Sequence, residues 1–346
     1  MAASQVFASA VQAGLWYTFH VLTVGWHVVQ RFASRVLPAK DRAPQRLPPP
    51  RWLSVSAEGR LVGLEQLPAL PALPFVEMEV AFAGCANLAM YMYGVAYALQ
   101  QAPGSGSVRW TYSGASSGAF VAAPFAMGIN CADVLLNAHR RFVKERERVG
   151  GCIGVYSCNV RGILHDEIEA ARSAGLDPLQ AADGRLAVSV TSLSPHPTHT
   201  VVTEFRSDQA LLDAVLASCY IPVAYEQPIV LDGLGFCIDG CVSAFLPNTR
   251  CVVSPYHCHL ADVTPTEEYE GTLVFNLLHG DDVLRLFEDG YLDCLRWLEK
   301  GAPSRSAQRA GSFSSRGASF LALLQQGLRL FLSLAGVRST RPLKAA

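Results

Sequence analysis

A serine flanked by glycines is the first feature of this chain that could do chemistry. The run GASSG, Gly114 to Gly118, is the only Gly-x-Ser-x-Gly pattern in the 346 residues, and it centres on Ser116. On a sharp turn between a strand and a helix, such a serine presents its hydroxyl as a nucleophile for acyl transfer. A chance match is expected in roughly one chain of this length in six. The surroundings of Ser116 must therefore decide whether it is a nucleophile or a chance match to the pattern.

A second candidate is the carboxylate of Asp239, which ends the predicted strand in GFCIDGCVSAF and is followed at once by Gly240. Sheets present catalytic groups at the ends of their strands, and a carboxylate there could take a proton from a hydroxyl. An Asx turn, in which the side chain bonds the backbone two residues on, explains the same Asp-Gly pair without catalysis. The pattern alone leaves both interpretations open.

The elements around Ser116 are predicted as strand, turn and helix, twice over. Apolar residues alternate along VEMEVAFAG, which predicts a strand ending at Gly84, and LAMYMYGVAYALQQ follows as a helix. SVRWTYSG predicts the next strand, and the small, apolar run SGAFVAAPFAMG predicts a helix pressed against the sheet. Gly114 and Gly118 would allow a strained turn and a close approach of helix to strand. The helix N-terminus would add partial positive charge where an oxyanion forms.

The rest of the middle region continues the α/β pattern. CADVLLNAHRRFVKERERV predicts an amphipathic helix, and RLAVSVTSL and HTVVTEF predict two strands that could pair. SDQALLDAVLASC predicts a helix with Ser207 as its N-cap.

Composition sets the ends of the chain apart from its body. Half of the residues are apolar, the mean hydropathy is +0.22, and basic residues collect in the first 50 and the last 46 positions. The first 30 residues carry no Lys, Arg, Asp or Glu. This distribution is poor for nucleic acid and favours an anionic membrane surface.

Four parts are predicted: an apolar membrane-associating or targeting segment at 1–46, a body at 47–300, a basic Ser-rich linker at 301–318, and an apolar and basic helix and tail at 319–346. The first segment fits a spanning helix with the body on the cytosolic side, an interfacial helix, a transit peptide or a packed helix. The last helix fits docking on the body or a second lipid contact.

The ten cysteines show no paired spacing, and no Asn-x-Ser/Thr sequon occurs, so free thiols in a reducing compartment are predicted. His257, Cys258 and His259 form a tempting cluster, but adjacent residues of an extended chain point to opposite faces. Because no second ligand pair has zinc spacing, no metal is predicted.

With Ser116 and Asp239 both at strand ends, the chain resembles the patatin-like lipid acyl hydrolases, and within them the adipose triglyceride lipase branch. The resemblance covers roughly residues 76–300. It rests on ordered blocks that include FAGCANLAMYMYGVAYAL, YSGASSGAF, LLDAVLASCYIPVAYEQPIVLDGLGFCIDGCVSAFLP, RCVVSPYHCHLADVTP and GYLDCLRWLEKG. It implies a three-layer α/β/α sandwich with a mainly parallel central sheet, flanked here by apolar terminal helices, and a Ser–Asp dyad without histidine or cofactor.

Carried over by position, the resemblance makes Ser116 the nucleophile and Asp239 the base, with Gly240 completing the acid's motif. The oxyanion hole would be formed by backbone amides of the loop Gly84, Cys85 and Ala86. The implied substrate is a glycerolipid ester at a membrane or lipid-droplet surface, facing the cytosol, as at the endoplasmic reticulum. The sequence names no protein activator.

The oxyanion loop departs from the family's glycine-rich pattern, because Ala86 and Ala89 stand where glycine is expected. If position 86 needs a positive φ, alanine there costs on the order of 1 kcal/mol and could turn an amide away. Cys241 after Gly240 is a further, milder departure.

Two alternatives follow. One is a catalytically weak or inactive lipid-surface adaptor, or an acyltransferase that uses the same acyl-enzyme. The other is an α/β-hydrolase with a Ser–His–Asp triad, for which His257, His259 and His279 have the right chain order.

Overall fold

The computed structural model describes residues 47–149, 156–193, 198–221, 225, 229–243, 249–269, 273, 278 and 280–308. The predicted segments 1–46 and 319–346, most of the linker 301–318, and His279 lie outside these residues. Among the residues described, no helix combines the length and the apolar character needed to cross a membrane.

A mixed sheet organises the body. Its strands are β3 (Glu77–Phe82), β4 (Arg109–Ala115), β5 (Leu186–Ser192), β6 (Thr198–Val202), β7 (Ile229–Leu231), β8 (Gly235–Ile238) and β9 (Cys251–Val253), preceded by a two-stranded pair, β1 (Ser54–Val55) and β2 (Leu61–Val62). The order is β7-β8-β5-β4-β3-β9, and β6 also pairs with β5. The pairs β9–β3, β3–β4 and β4–β5 are parallel, whereas β5–β6, β5–β8 and β7–β8 are antiparallel.

Helices connect these strands. They are α1 (Ala89–Gln101), α2 (Ser117–Ala126), α3 (Cys131–Val149), α4 (Tyr156–Ser173), α5 (Pro178–Ala182), α6 (Asp208–Cys219) and α7 (Gly280–Glu299). Helix α6 begins as predicted at Ser207, whose hydroxyl accepts the amide of Ala210 at 3.2 Å. The helix and strand predictions around Ser116 are confirmed, because continuous apolar strands followed by small-residue helices are what a covered parallel sheet requires.

The core of the body lies between the central strands and helices α1 and α2. Tyr112 on β4 packs against Phe125 on α2 with ring centroids 4.6 Å apart, and Phe82 on β3 contacts the same ring. Helices α1 and α7 approach so closely that a Cβ on Gly94 would lie 2.0 Å from the Phe287 carbonyl oxygen. Because β3 and β4 pair in parallel, with Phe82 opposite Gly114, the carboxyl ends of these two central strands lie next to each other.

The segment leading in from residue 47 is fixed to α7 by acidic side chains. The carboxylate of Glu288 accepts the backbone amides of Arg51, Trp52 and Leu53 at 2.7–2.8 Å. Farther along the same helix surface, Asp282 accepts the amide of Leu47 at 2.9 Å. Glu288 is only 1% exposed, so these hydrogen bonds satisfy a carboxylate that would be costly to bury alone.

Candidate active site

Ser116 occupies the sharp turn between β4 and α2 that its pattern predicts. Its backbone is strained, with φ 56° and ψ −134°, and it is 7% exposed. Glycine permits the close packing around it, since a Cβ on Gly114 would lie 2.3 Å from the carbonyl carbon of Gly118, and one on Gly118 would lie 2.0 Å from the Phe82 oxygen. The prediction of close approach is confirmed, but the positive φ falls on the serine itself and not on either glycine.

The strained turn is held by a serine that sequence reasoning missed. The amide of Ser116 donates to the hydroxyl of Ser218 on α6 at 2.8 Å, and that hydroxyl donates to the carbonyl of Ser189 on β5 at 2.6 Å. Ser218 is fully buried. It thus ties the backbone of Ser116 to the neighbouring strand.

Asp239 follows β8 directly and faces Ser116. The Ser116 hydroxyl is close enough to the carboxylate to act on its pKa as a hydrogen-bond donor, and the amide of Cys241 donates to Oδ1 at 2.8 Å. The second contact is the Asx turn considered from the sequence, so the turn and the approach to serine occur together. Burial raises the pKa of Asp239 to about 6, while the hydrogen bonds from Ser116 and Cys241 oppose that rise.

The loop that carries Asp239 is braced on β5, the strand that Ser218 also contacts. A Cβ on Gly240 would lie 2.1 Å from the carbonyl oxygen of Ser189. The backbone carbonyl of Asp239 accepts a hydrogen bond from the Thr191 hydroxyl at 2.8 Å. The backbone amide of Asp239 donates to the backbone carbonyl of Tyr220 at 2.9 Å. These contacts leave the carboxylate little freedom to move away from Ser116.

The loop of Gly84, Cys85 and Ala86 lies directly beside the serine. A Cβ on Gly84 would lie 2.8 Å from the Ser116 Cβ and 2.1 Å from the Cys241 Sγ. Ala86 has φ 48°, the left-handed conformation in which alanine is strained. Position 86 therefore has the positive φ for which the sequence analysis predicts a cost of alanine.

Two amides of this loop already have partners within the chain. The amide of Cys85 donates to the Ser117 hydroxyl at 2.9 Å, and the amide of Gly84 hydrogen-bonds the thiol of Cys241. Burial, followed by the charge of nearby Asp239, raises the pKa of Cys241 well above its usual value, so this thiol stays neutral. Ala89, by contrast, has φ −51° at the start of α1, where alanine is unstrained.

Tyr256, just after β9, is another neighbour that the sequence did not single out. Its pKa is raised well above its ordinary value, first by burial and then by the proximity of Cys85, Cys241 and Asp239. The phenol therefore stays protonated beside the dyad and can only act as a neutral group.

Two of the three histidines considered for a triad, His257 and His259, belong to the part of the chain that is described. His257 is exposed and its Nδ1 lies 3.2 Å from the carbonyl oxygen of Pro265, and His259 is exposed as well. Within the described residues, the side-chain hydrogen bonds that act on Asp239 come from Ser116 and Cys241. His279 lies outside those residues.

The structure describes most of the cysteines and the candidate metal ligands His257, Cys258 and His259. Eight cysteines are free, namely Cys85, Cys131, Cys219, Cys237, Cys241, Cys251, Cys258 and Cys294. The described ranges contain no group of three or more His, Cys, Asp or Glu side chains placed to hold a metal ion, and this holds for His257, Cys258 and His259.

The parallel core, the strained turn and the adjoining serine and carboxylate define an α/β protein with the framework of a serine acyl-transfer site. Residues 80–249 match the patatin-like phospholipase family. This match confirms the resemblance to that family, and the α/β/α fold class predicted from the sequence is confirmed as well.

Curated relatives support the same branch. The chain is similar to a 1-acylglycerol-3-phosphate O-acyltransferase of Mus musculus, 26% identical over 68% of this chain and 62% of the relative. It is also similar to patatin-like phospholipase domain-containing protein 2 of Bos taurus, 29% identical over 55% and 39% of the two chains. An omega-hydroxyceramide transacylase of Mus musculus is 28% identical over 43% of this chain and 24% of the relative. The chain thus spans less than two thirds of the length of each of these relatives.

Proposed function

We propose that this chain is a lipid acyl hydrolase that cleaves carboxylic esters of glycerolipids through Ser116 and Asp239. The observation that carries the proposal is the juxtaposition of Ser116, on the strained turn after β4, with the buried carboxylate of Asp239, whose pKa is raised to about 6. A serine hydroxyl is a poor nucleophile at its own pKa and needs a base within hydrogen-bond reach. A carboxylate made more basic by burial suits that task.

The reaction follows from this geometry. Asp239 takes the hydroxyl proton as the Ser116 oxygen bonds to the ester carbonyl carbon, and the carbonyl electron pair moves onto oxygen. Backbone amides of the loop from Gly84 to Ala86 stabilise this oxyanion. The intermediate collapses, and the alcohol leaves with the proton from Asp239. Water then attacks the acyl-enzyme, giving its proton to Asp239, which returns it to the serine as the acid departs.

The proposed setting is a membrane or lipid-droplet surface facing the cytosol. It is supported by the apolar, acid-free first 30 residues and by the basic flanks at both ends of the chain. We include neither metal nor organic cofactor in the mechanism.

The test is covalent labelling together with turnover. A fluorophosphonate probe should modify the wild-type protein and Asp239→Asn should react far more slowly, whereas Ser116→Ala should not be labelled. Hydrolysis of a triacylglycerol and phospholipid panel should be lost in both variants. Wild-type protein that neither reacts nor hydrolyses any ester would instead support the lipid-surface adaptor.

Acyl transfer is a second candidate, favoured by two relatives whose names are those of acyl-transferring enzymes. The same acyl-enzyme would form, and the hydroxyl of a second lipid would replace water. Supplying 1-acylglycerol-3-phosphate or a diacylglycerol as acceptor separates the reactions, because transfer yields a newly acylated lipid and hydrolysis yields free fatty acid.

A further inference from the structure

The residue directly after the nucleophile contacts the loop that would bind the oxyanion. The hydroxyl of Ser117, the first residue of α2, accepts the amide of Cys85 at 2.9 Å and lies 3.3 Å from the Cys85 Sγ. Ser117 is half-buried, whereas Ser116 beside it is buried. A side-chain oxygen therefore occupies a donor that an ester oxygen would otherwise use.

Few other donors of this loop remain. The amide of Gly84 is directed to the Cys241 thiol, which leaves the amide of Ala86 as the remaining backbone donor of the three. A single backbone donor to an oxyanion typically contributes a large part of the stabilisation of the transition state. The protein as it stands presents a partly occupied oxyanion hole.

We propose that the Ser117 hydroxyl gates the oxyanion hole by competing with the substrate carbonyl oxygen for the amide of Cys85. The inference rests on the proposed function. For the oxyanion to form with both donors, the Ser117 side chain must rotate about its Cα–Cβ bond and release that amide. Because Ser117 is half-buried, its hydroxyl can turn towards the cleft without unpacking α2.

The competition sets a modest and measurable limit on the rate. The hydroxyl–amide hydrogen bond is between neutral groups, and a bond of this kind lowers the rate by about two- to tenfold when it must be broken first. The position of Ser117 at the start of a helix also tolerates alanine, since alanine has the highest helix propensity. Removing the hydroxyl should free the amide while leaving the turn in place.

The experiment compares Ser117→Ala with Ser117→Thr, which keeps a hydroxyl at the same place. We expect Ser117→Ala to raise both the second-order rate of fluorophosphonate labelling and kcat/KM for a short-chain p-nitrophenyl ester by about two- to tenfold. Ser117→Thr should remain slower than Ser117→Ala in both measurements. A gain in rate is a result that structural damage does not produce.

Three outcomes would overturn the inference. Unchanged rates in Ser117→Ala would show that the hydroxyl does not compete, and slower rates would show that it assists, for example by donating to the oxyanion itself. An equal gain in Ser117→Thr would assign the effect to something other than the hydroxyl. Labelling of wild type but not of Ser116→Ala, in the same assay, keeps the proposed function standing in each of these cases, whereas an unlabelled wild type would remove both.

Discussion

The amide of Ser116 donates a 2.8 Å hydrogen bond to the buried hydroxyl of Ser218, although the two residues are 102 positions apart. Ser218 passes the contact on to the carbonyl of Ser189, the same oxygen on which Gly240 packs. The proposed nucleophile and the loop of the proposed base therefore share one fixed point on β5. This common support would hold Ser116 and Asp239 in the geometry that the proposed dyad needs.

Replacing Ser218 with alanine should weaken catalysis more than it weakens substrate binding. The change removes the partner of the strained Ser116 amide and its link to the Ser189 carbonyl, so we expect the hydroxyl of Ser116 to lose its alignment with Asp239. We expect kcat to fall about 10- to 100-fold with KM changed less than threefold, by analogy with the cost of an unsatisfied buried polar group. The measurement is steady-state ester hydrolysis by Ser218→Ala. Ser173→Ala, a helical serine that also bonds a carbonyl but is exposed, is the matched control.

Activity should depend on the ionisation of Asp239. Because burial raises its pKa to about 6, the carboxyl is largely protonated at pH 5 and cannot accept the serine proton. We expect kcat/KM to rise roughly tenfold per pH unit up to about pH 6 and then to level off, since this ratio reports the free enzyme. A pH series with a soluble ester checks this. A rate that is already level at pH 4.5 would show that the base has an ordinary pKa.

The same carboxylate should reduce the stability of the folded protein at neutral pH. Its folded-state pKa lies above the usual 3.8, so the ionised form is disfavoured by folding, and the penalty grows between about pH 4 and pH 6. Asp239→Asn removes the charge and can keep the bond to the Cys241 amide. Urea unfolding at pH 8 should show a gain of up to about 3 kcal/mol. The gain should fade by pH 4, and equal stability at pH 8 would contradict it.

Opposite effects are expected from glycine at the two alanines of the oxyanion loop. Ala86 has a left-handed backbone, so Ala86→Gly should stabilise the fold by about 1 kcal/mol. Ala89 is helical, so Ala89→Gly should destabilise the fold by about the same amount. Paired urea titrations measure both. Two changes of the same sign would show that the loop's backbone differs from the one described.

A methyl group on Gly84 should abolish catalysis. It would lie 2.1 Å from the Cys241 Sγ and 2.8 Å from the Ser116 Cβ, which forces the serine or the loop to shift. We expect Gly84→Ala to lose at least 100-fold in kcat/KM, because small misplacements of reacting groups are costly. Gly106→Ala is the control, since a Cβ there meets nothing within 4 Å. Near-normal turnover by Gly84→Ala would exclude this loop from the site.

Periodicity and turn residues were enough to predict the elements around the site. The run from Cys131 to Val149 is observed as a helix with the predicted bounds, and the strand ending before Asp239 is observed as β8. Such elements are predictable because a covered sheet demands apolar strands and small-residue helices. Helix α4 and the three-residue strand β7 were not predicted, since a helix with Gly162 and many polar residues and a very short edge strand give weak patterns.

The supporting contacts of the site could not be predicted in the same way. Ser218 and Ser117 are serines within helical patterns, and nothing in their neighbours reveals that one holds the nucleophile's amide and the other the amide of Cys85. Both roles arise from residues about 100 and 32 positions away. For Ala86 the sequence predicted strain only if the backbone there has a positive φ, and the structure was needed to show that it does.

Glu288 gives the body a particular mechanical property. Glu288 lies on α7, and its carboxylate accepts hydrogen bonds from the three consecutive amides of residues 51–53. A pull on the chain ahead of residue 47 would therefore load α7 first and then α1, the helix that packs closely on it and follows the loop from Gly84 to Ala86.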